Sequence, residues 1–112
     1  MARKHLVFDT EILGTQNPVF LLCTKCVETG VTQAFWHHKK GDLKKFTKLI
    51  EDPEYTWVGF NSWRFDAPLL GAWLNGCDVH IIKMIAQRII EENLMPWESY
   101  KLGGLSGLDF DH

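Results

Sequence analysis

Phe8-Asp9-Thr10-Glu11 closes an apolar run that begins at Leu6, and Asn61-Ser62-Trp63-Arg64-Phe65-Asp66 follows a second run, Tyr55 to Phe60. The fold hinges on how these two stretches meet. His5 to Asp9 is short and apolar enough for a central strand covered on both faces. On a strand, residues two apart face the same way, so Asp9 and Glu11 are expected to project together. Two carboxylates held this close repel unless a cation lies between them, and a divalent metal is the usual solution. Magnesium suits such a site because it takes oxygen ligands and binds through one or two carboxylates plus substrate phosphate. Asp66-Ala67-Pro68 reads as the opening of a helix, where a proline gives up an N–H that has no helical partner. If the Tyr55–Phe60 strand lies parallel to the first, both strand ends open onto one sheet edge. Ligands gather at that edge in open α/β sheets.

Working outward, Ile12-Leu13-Gly14 leads to the polar turn Thr15-Gln16-Asn17-Pro18, and Val19 to Val27 is a second strand. Glu28-Thr29-Gly30 is hairpin-like, and Val31 to His37 is a third strand rich in β-branched and aromatic residues. At Lys39-Lys40-Gly41-Asp42 the period changes. Asp42 is expected to cap a helix reaching about Glu51, with Leu43, Phe46, Leu49 and Ile50 on its apolar face and Lys44, Lys45 and Lys48 on or near the other. A helix between strands implies a crossover back into the same sheet. The helix from Asp66 has Leu69, Leu70, Trp73 and Leu74 as its buried stripe and closes at Asn75-Gly76. Asp78 caps a third helix to about Asn93, with Ile81, Ile82, Ile85, Ile89 and Ile90 on its apolar side, stopped by Pro96. Trp97 to His112 reads as loop. The order β-β-β-α-β-α-α implies an α/β fold, a mixed sheet with helices packed on it, in a single domain over 1–112.

The net charge of −2 gives no global field for nucleic acid, so such binding requires a local patch or metal ions. No stretch has the apolar length of a membrane span, and Met1-Ala2-Arg3-Lys4 leads straight into a strand without a signal-peptide core. The expectation is a cytoplasmic protein with reduced thiols and no membrane partner. Cys23 and Cys26 form a CxxC, but three apart on a strand they face opposite sides, and they read as structural thiols. Cys77 reads as a small packed residue, and in His37-His38 one ring is expected to be exposed and the other partly packed.

The two opening stretches resemble motifs of a known family. Phe8-Asp9-Thr10-Glu11 matches the first motif, DxE, of the DEDD (DnaQ-like) 3′–5′ exonucleases, and Asn61 to Asp66 matches their second, Asn-x-x-x-Phe/Tyr-Asp. The hairpin, helix and strand between them fit that family's ribonuclease H-like fold, and the chain is similar to the N-terminal part of tailed-bacteriophage exonucleases. The resemblance implies metal-dependent 3′–5′ hydrolysis of DNA, with single-stranded 3′ ends as substrate and two Mg²⁺ or Mn²⁺ ions about 4 Å apart. It implies Asp9 bridging both ions, Glu11 binding one and Asp66 holding the other. Asn61 would bind near the terminal nucleotide, and Trp63, Phe65 or both would pack against a base.

The family's third motif, a further acid with a Tyr or His as general base on a later helix, has no counterpart. Asp109, Asp111 and His112 have suitable atoms at positions that do not match the motif. The expectation is a domain truncated before its last strand and helix, completed by a second chain or a homodimer partner. The alternative reading is a non-catalytic remnant that binds nucleic acid or a protein partner. Lys39, Lys40, Lys44, Lys45 and Lys48 serve as phosphate contacts on one reading and as a solvated helix face on the other.

Overall fold

The first strand alternates, and that alternation sets the layers. In β1 (Lys4–Leu13), Leu6, Phe8 and Thr10 are buried while His5, Asp9, Glu11 and Leu13 are exposed. The computed structural model describes residues 3–59 and 65–93. β2 (Val19–Cys26) pairs antiparallel with β1, β3 (Thr32–Trp36) pairs antiparallel with β2, and β4 (Tyr55–Val58) pairs parallel with β1. The sheet order is β3-β2-β1-β4. The helices are α1 (Asp42–Glu51), α2 (Asp66–Leu74) and α3 (Val79–Glu91). The expected order and mixed sheet are both present. Asn61, Trp63, Pro96 and the expected loop from Trp97 to His112, with Asp109, Asp111 and His112, lie outside the described residues.

The core draws on one sheet face. Leu6, Phe8, Phe20, Leu22, Phe35 and Trp57 point toward the helices and meet Phe46 of α1, Leu69, Leu70 and Trp73 of α2, and Ile82, Ile85 and Ile89 of α3. Phe46 is fully buried, stacks on Trp73 at 5.1 Å and meets Trp57 edge-on at 5.9 Å. Rings in these geometries add to the burial of their area.

Four expectations change. β1 is not covered on both faces by the described residues: its second face carries the exposed Asp9 and Glu11, because the strand alternates beyond its apolar start. Asp42 does not cap α1. Gly41 holds the N-cap at φ 92 without a side-chain bond, and Asp42 is buried, its Oδ2 accepting the Trp36 N–H at 2.8 Å. β3 is an edge strand, and while the His37 N–H bonds Phe20 of β2, the Trp36 N–H points the other way and takes a carboxylate instead. In α2 every residue from Asp66 to Trp73 is buried, not a stripe, since the helix packs on α1 and α3 and its Trp73 meets Phe20 of β2. On α3, Ile82, Ile85 and Ile89 are buried as expected, but Ile81 and Ile90 are exposed, lying at the margins of the stripe.

Other local readings match. The Asp78 side chain accepts the Ile81 N–H at 3.0 Å and caps α3. Gly30 turns the hairpin at φ 75. Glu28 clamps this turn to β1, accepting the His5 N–H at 2.7 Å and meeting its ring Nδ1 at 2.7 Å. Cys23 is exposed and Cys26 buried, so the two thiols face apart. His37 is half-buried, with Nε2 2.9 Å from the Cys77 carbonyl, and His38 is exposed. Among the described residues no helix is long and apolar enough to cross a membrane.

Candidate active site at the end of the first strand

β4 pairs with β1 only from Lys4 to Val7. Phe8 to Leu13 therefore run on past β4, and β1 offers a strand edge that β4 does not cover. The parallel pairing brings the ends of both strands to one side of the sheet, as expected from the sequence. Asp9 and Glu11 project together on the exposed face. Asp9 folds back on its own strand, with Oδ1 accepting the Thr10 N–H at 3.0 Å.

Asp66 arrives from the other side. It is the first residue of α2 and is buried, and its Oδ1 accepts the hydroxyl hydrogen of Thr10 Oγ1. Thr10 lies between Asp9 and Glu11 in sequence but faces the core with Leu6 and Phe8. β1 thus separates Asp66 from the Asp9–Glu11 pair by one alternation. Burial pushes the Asp66 carboxyl up to about 6; the Thr10 hydrogen bond opposes the rise and the charge of Asp9 adds to it. Cys23 sits opposite Asp9 in the β1–β2 register; partial loss of water around its otherwise exposed thiol pushes it up, with the charges of Glu11 and Asp9 adding.

Two clefts flank these acids. One, of about 360 Å³, is lined by Val7, Phe8, Asp9, Cys23 and Thr24. The other, of about 380 Å³, rounds the strand end toward α3 and is lined by Thr10, Glu11, Ile12, Phe65, Lys83, Gln87 and Ile90, among others. Phe65, expected beside a substrate base, is half-buried in its wall. Lys83 Nζ donates to the Thr15 carbonyl at 2.8 Å and fixes α3 against the β1–β2 turn.

No family model, curated protein or solved structure matches this chain.

The donor chemistry of Asp9, Glu11 and Asp66 fits a hard divalent cation, being all carboxylate oxygen. Among the described residues, no three His, Cys, Asp or Glu side chains converge closely enough to hold an ion. Asp9 and Glu11 share a face; Asp66 is engaged with Thr10 on the opposite one. Sequence reasoning missed Thr10, although strand alternation marks it as a polar group on the core face. It also missed Lys83 and Gln87, whose i, i+4 spacing puts them, with Ile90 at i+7, on one side of the Ile-rich helix.

Proposed function

We propose that the chain is a metal-dependent phosphodiester hydrolase domain of the DEDD 3′–5′ exonuclease type, acting on single-stranded DNA ends. One observation carries this reading. The parallel β1–β4 pair brings the Asp9-x-Glu11 strand and the helix opening at Asp66 to one edge, where Asp66 bonds the residue between the two acids. Asp9 and Glu11, which share a face, would hold Mg²⁺ or Mn²⁺, and Asp66 would join them as a ligand only by leaving its bond to Thr10. The chemistry a divalent pair supplies when bound is activation of a water and neutralisation of charge at the leaving oxygen. The chain's own part is to present Asp9 and Glu11 on one exposed face and to position Asp66 through Thr10. Phe65 offers an aromatic wall for a terminal base in the cleft.

The test is digestion of an end-labelled single-stranded oligonucleotide in Mg²⁺ and in Mn²⁺, with Asp9→Ala purified in parallel. Stepwise 3′ loss that disappears in the variant supports the reading. Activity equal in both proteins, or absent from both, refutes it for this chain.

A second reading, a binding domain without hydrolysis, is favoured by the separation of Asp66 from the acid pair. It expects nucleic-acid binding that is unchanged by Asp9→Ala and no metal-dependent cleavage.

A further inference from the structure

β1 and β3 both run antiparallel to β2, so they share a direction, and the end of β3 lies at the same sheet edge as Asp9 and Glu11. The register is specific: Glu11 pairs with Leu21, and Leu21 pairs with Trp36. Trp36 and Glu11 therefore stand in one row on one face, two strand spacings or about 10 Å apart. In the next row Asp9, Cys23 and Ala34 are aligned, and the last two are small and exposed. Between Glu11 and Trp36 Leu21 is buried, so the exposed way from Trp36 to the acids runs through the Asp9 row, over Cys23 and Ala34.

Beyond Trp36 the loop turns basic. Lys39 Nζ lies 5.3 Å from the Trp36 ring centroid, and Lys39, Lys40, Lys44 and Lys45 are all exposed. The one carboxylate within this run, Asp42, is turned inward onto the Trp36 N–H, which strips the surface of its local counter-charge. Among the described residues none of these lysines makes an ion pair. Lys44 and Lys45 stand in the first turn of α1, where the helix dipole disfavours cations, so their placement does not serve the helix.

We propose that Trp36, Lys39 and Lys40 form a docking element for single-stranded nucleic acid, a base on the indole and phosphates on the lysines, that feeds the strand across Cys23 and Ala34 to Asp9 and Glu11. This rests on the hydrolytic reading above for its substrate class. An aromatic face interleaved with cations binds single strands without reading sequence.

The experiment is fluorescence anisotropy with a labelled oligothymidylate in EDTA, across a salt series. It compares the unmodified protein with Lys39→Ala/Lys40→Ala, Trp36→Ala, and the control Lys25→Ala at the opposite end of the same face. Thermal melts accompany each variant. The double lysine variant is expected to bind at least tenfold more weakly, with the salt slope reduced by about 1.4, or about 0.7 per phosphate contact. Trp36→Ala is expected to lose about tenfold through stacking, and Lys25→Ala to match the unmodified protein. The proposal is overturned if the double variant keeps full affinity and slope, or if the unmodified protein does not bind. Displacement by polyglutamate that is equal with and without Trp36 also overturns it, since the surface would then recognise charge alone. Lysine-dependent binding that persists in Asp9→Ala, without cleavage in Mg²⁺ or Mn²⁺, upholds the docking element and refutes only the hydrolytic reading.

Discussion

Asp66→Asn separates the charge of the buried acid from its hydrogen bond. Asparagine keeps an oxygen for the Thr10 hydroxyl but cannot ionise. In the native protein the Asp66 carboxyl sits at about 6, against an ordinary 3.8, chiefly because burial penalises its charge. The folded state therefore binds this proton more tightly than the unfolded chain does. The associated stability is fully present below about pH 4 and declines as pH rises through about 6. At about 1.36 kcal/mol per pH unit the full penalty is about 3 kcal/mol, and solvent access at the cleft reduces it to about 2 kcal/mol. The Asn variant lacks this decline. Its stability relative to the unmodified protein should be near parity at pH 4 and rise to an advantage of about 2 kcal/mol by pH 7.5. The assay is urea denaturation in EDTA at half-unit pH steps from 4 to 8, followed by tryptophan fluorescence, since Trp57 and Trp73 are buried. A stability difference that stays constant across this range, or an Asn variant that is less stable at pH 7.5, would refute the account of Asp66 as a penalised buried charge.

Three further predictions follow from other parts of the structure. Millimolar Mg²⁺ should raise the thermal midpoint at pH 7.5 by partly offsetting the buried charge, EDTA should reverse this, and Asp9→Ala should abolish it; an equal rise in the variant counts against a shared cation site. Asp42→Ala should cost about 1–2 kcal/mol by leaving the Trp36 N–H without its carboxylate, measured by urea denaturation, and a cost near zero would show that water replaces the bond. Phe46→Ala should cost about 3–5 kcal/mol, since the ring is fully buried between Trp73 and Trp57 and its loss leaves a cavity.

Local signals fixed much of this architecture. The element order follows from the periodicity of apolar residues, the Asp78 cap from its place before an Ile-rich helix, and the Gly30 turn from its flanking strands. That Asp9 and Glu11 share a face follows from the two-residue repeat alone, as does the parting of Cys23 from Cys26. What the chain could not show locally was which face of β1 the helices would cover. Covering the Leu6–Phe8–Thr10 face buried Thr10, left Asp9 and Glu11 exposed, and made Asp66 approach from behind them. Nor could local reading assign Asp42, because a capping acid and an acid serving a distant strand look alike until the edge of β3 lies beside α1. The row from Glu11 through Leu21 to Trp36 depends on two pairing registers, each set by packing between segments far apart in the chain. The sequence determined the elements and the faces of single strands, because those depend on neighbours a few residues away. Only the tertiary structure decided which faces meet, because that depends on the core that the described strands and helices build together.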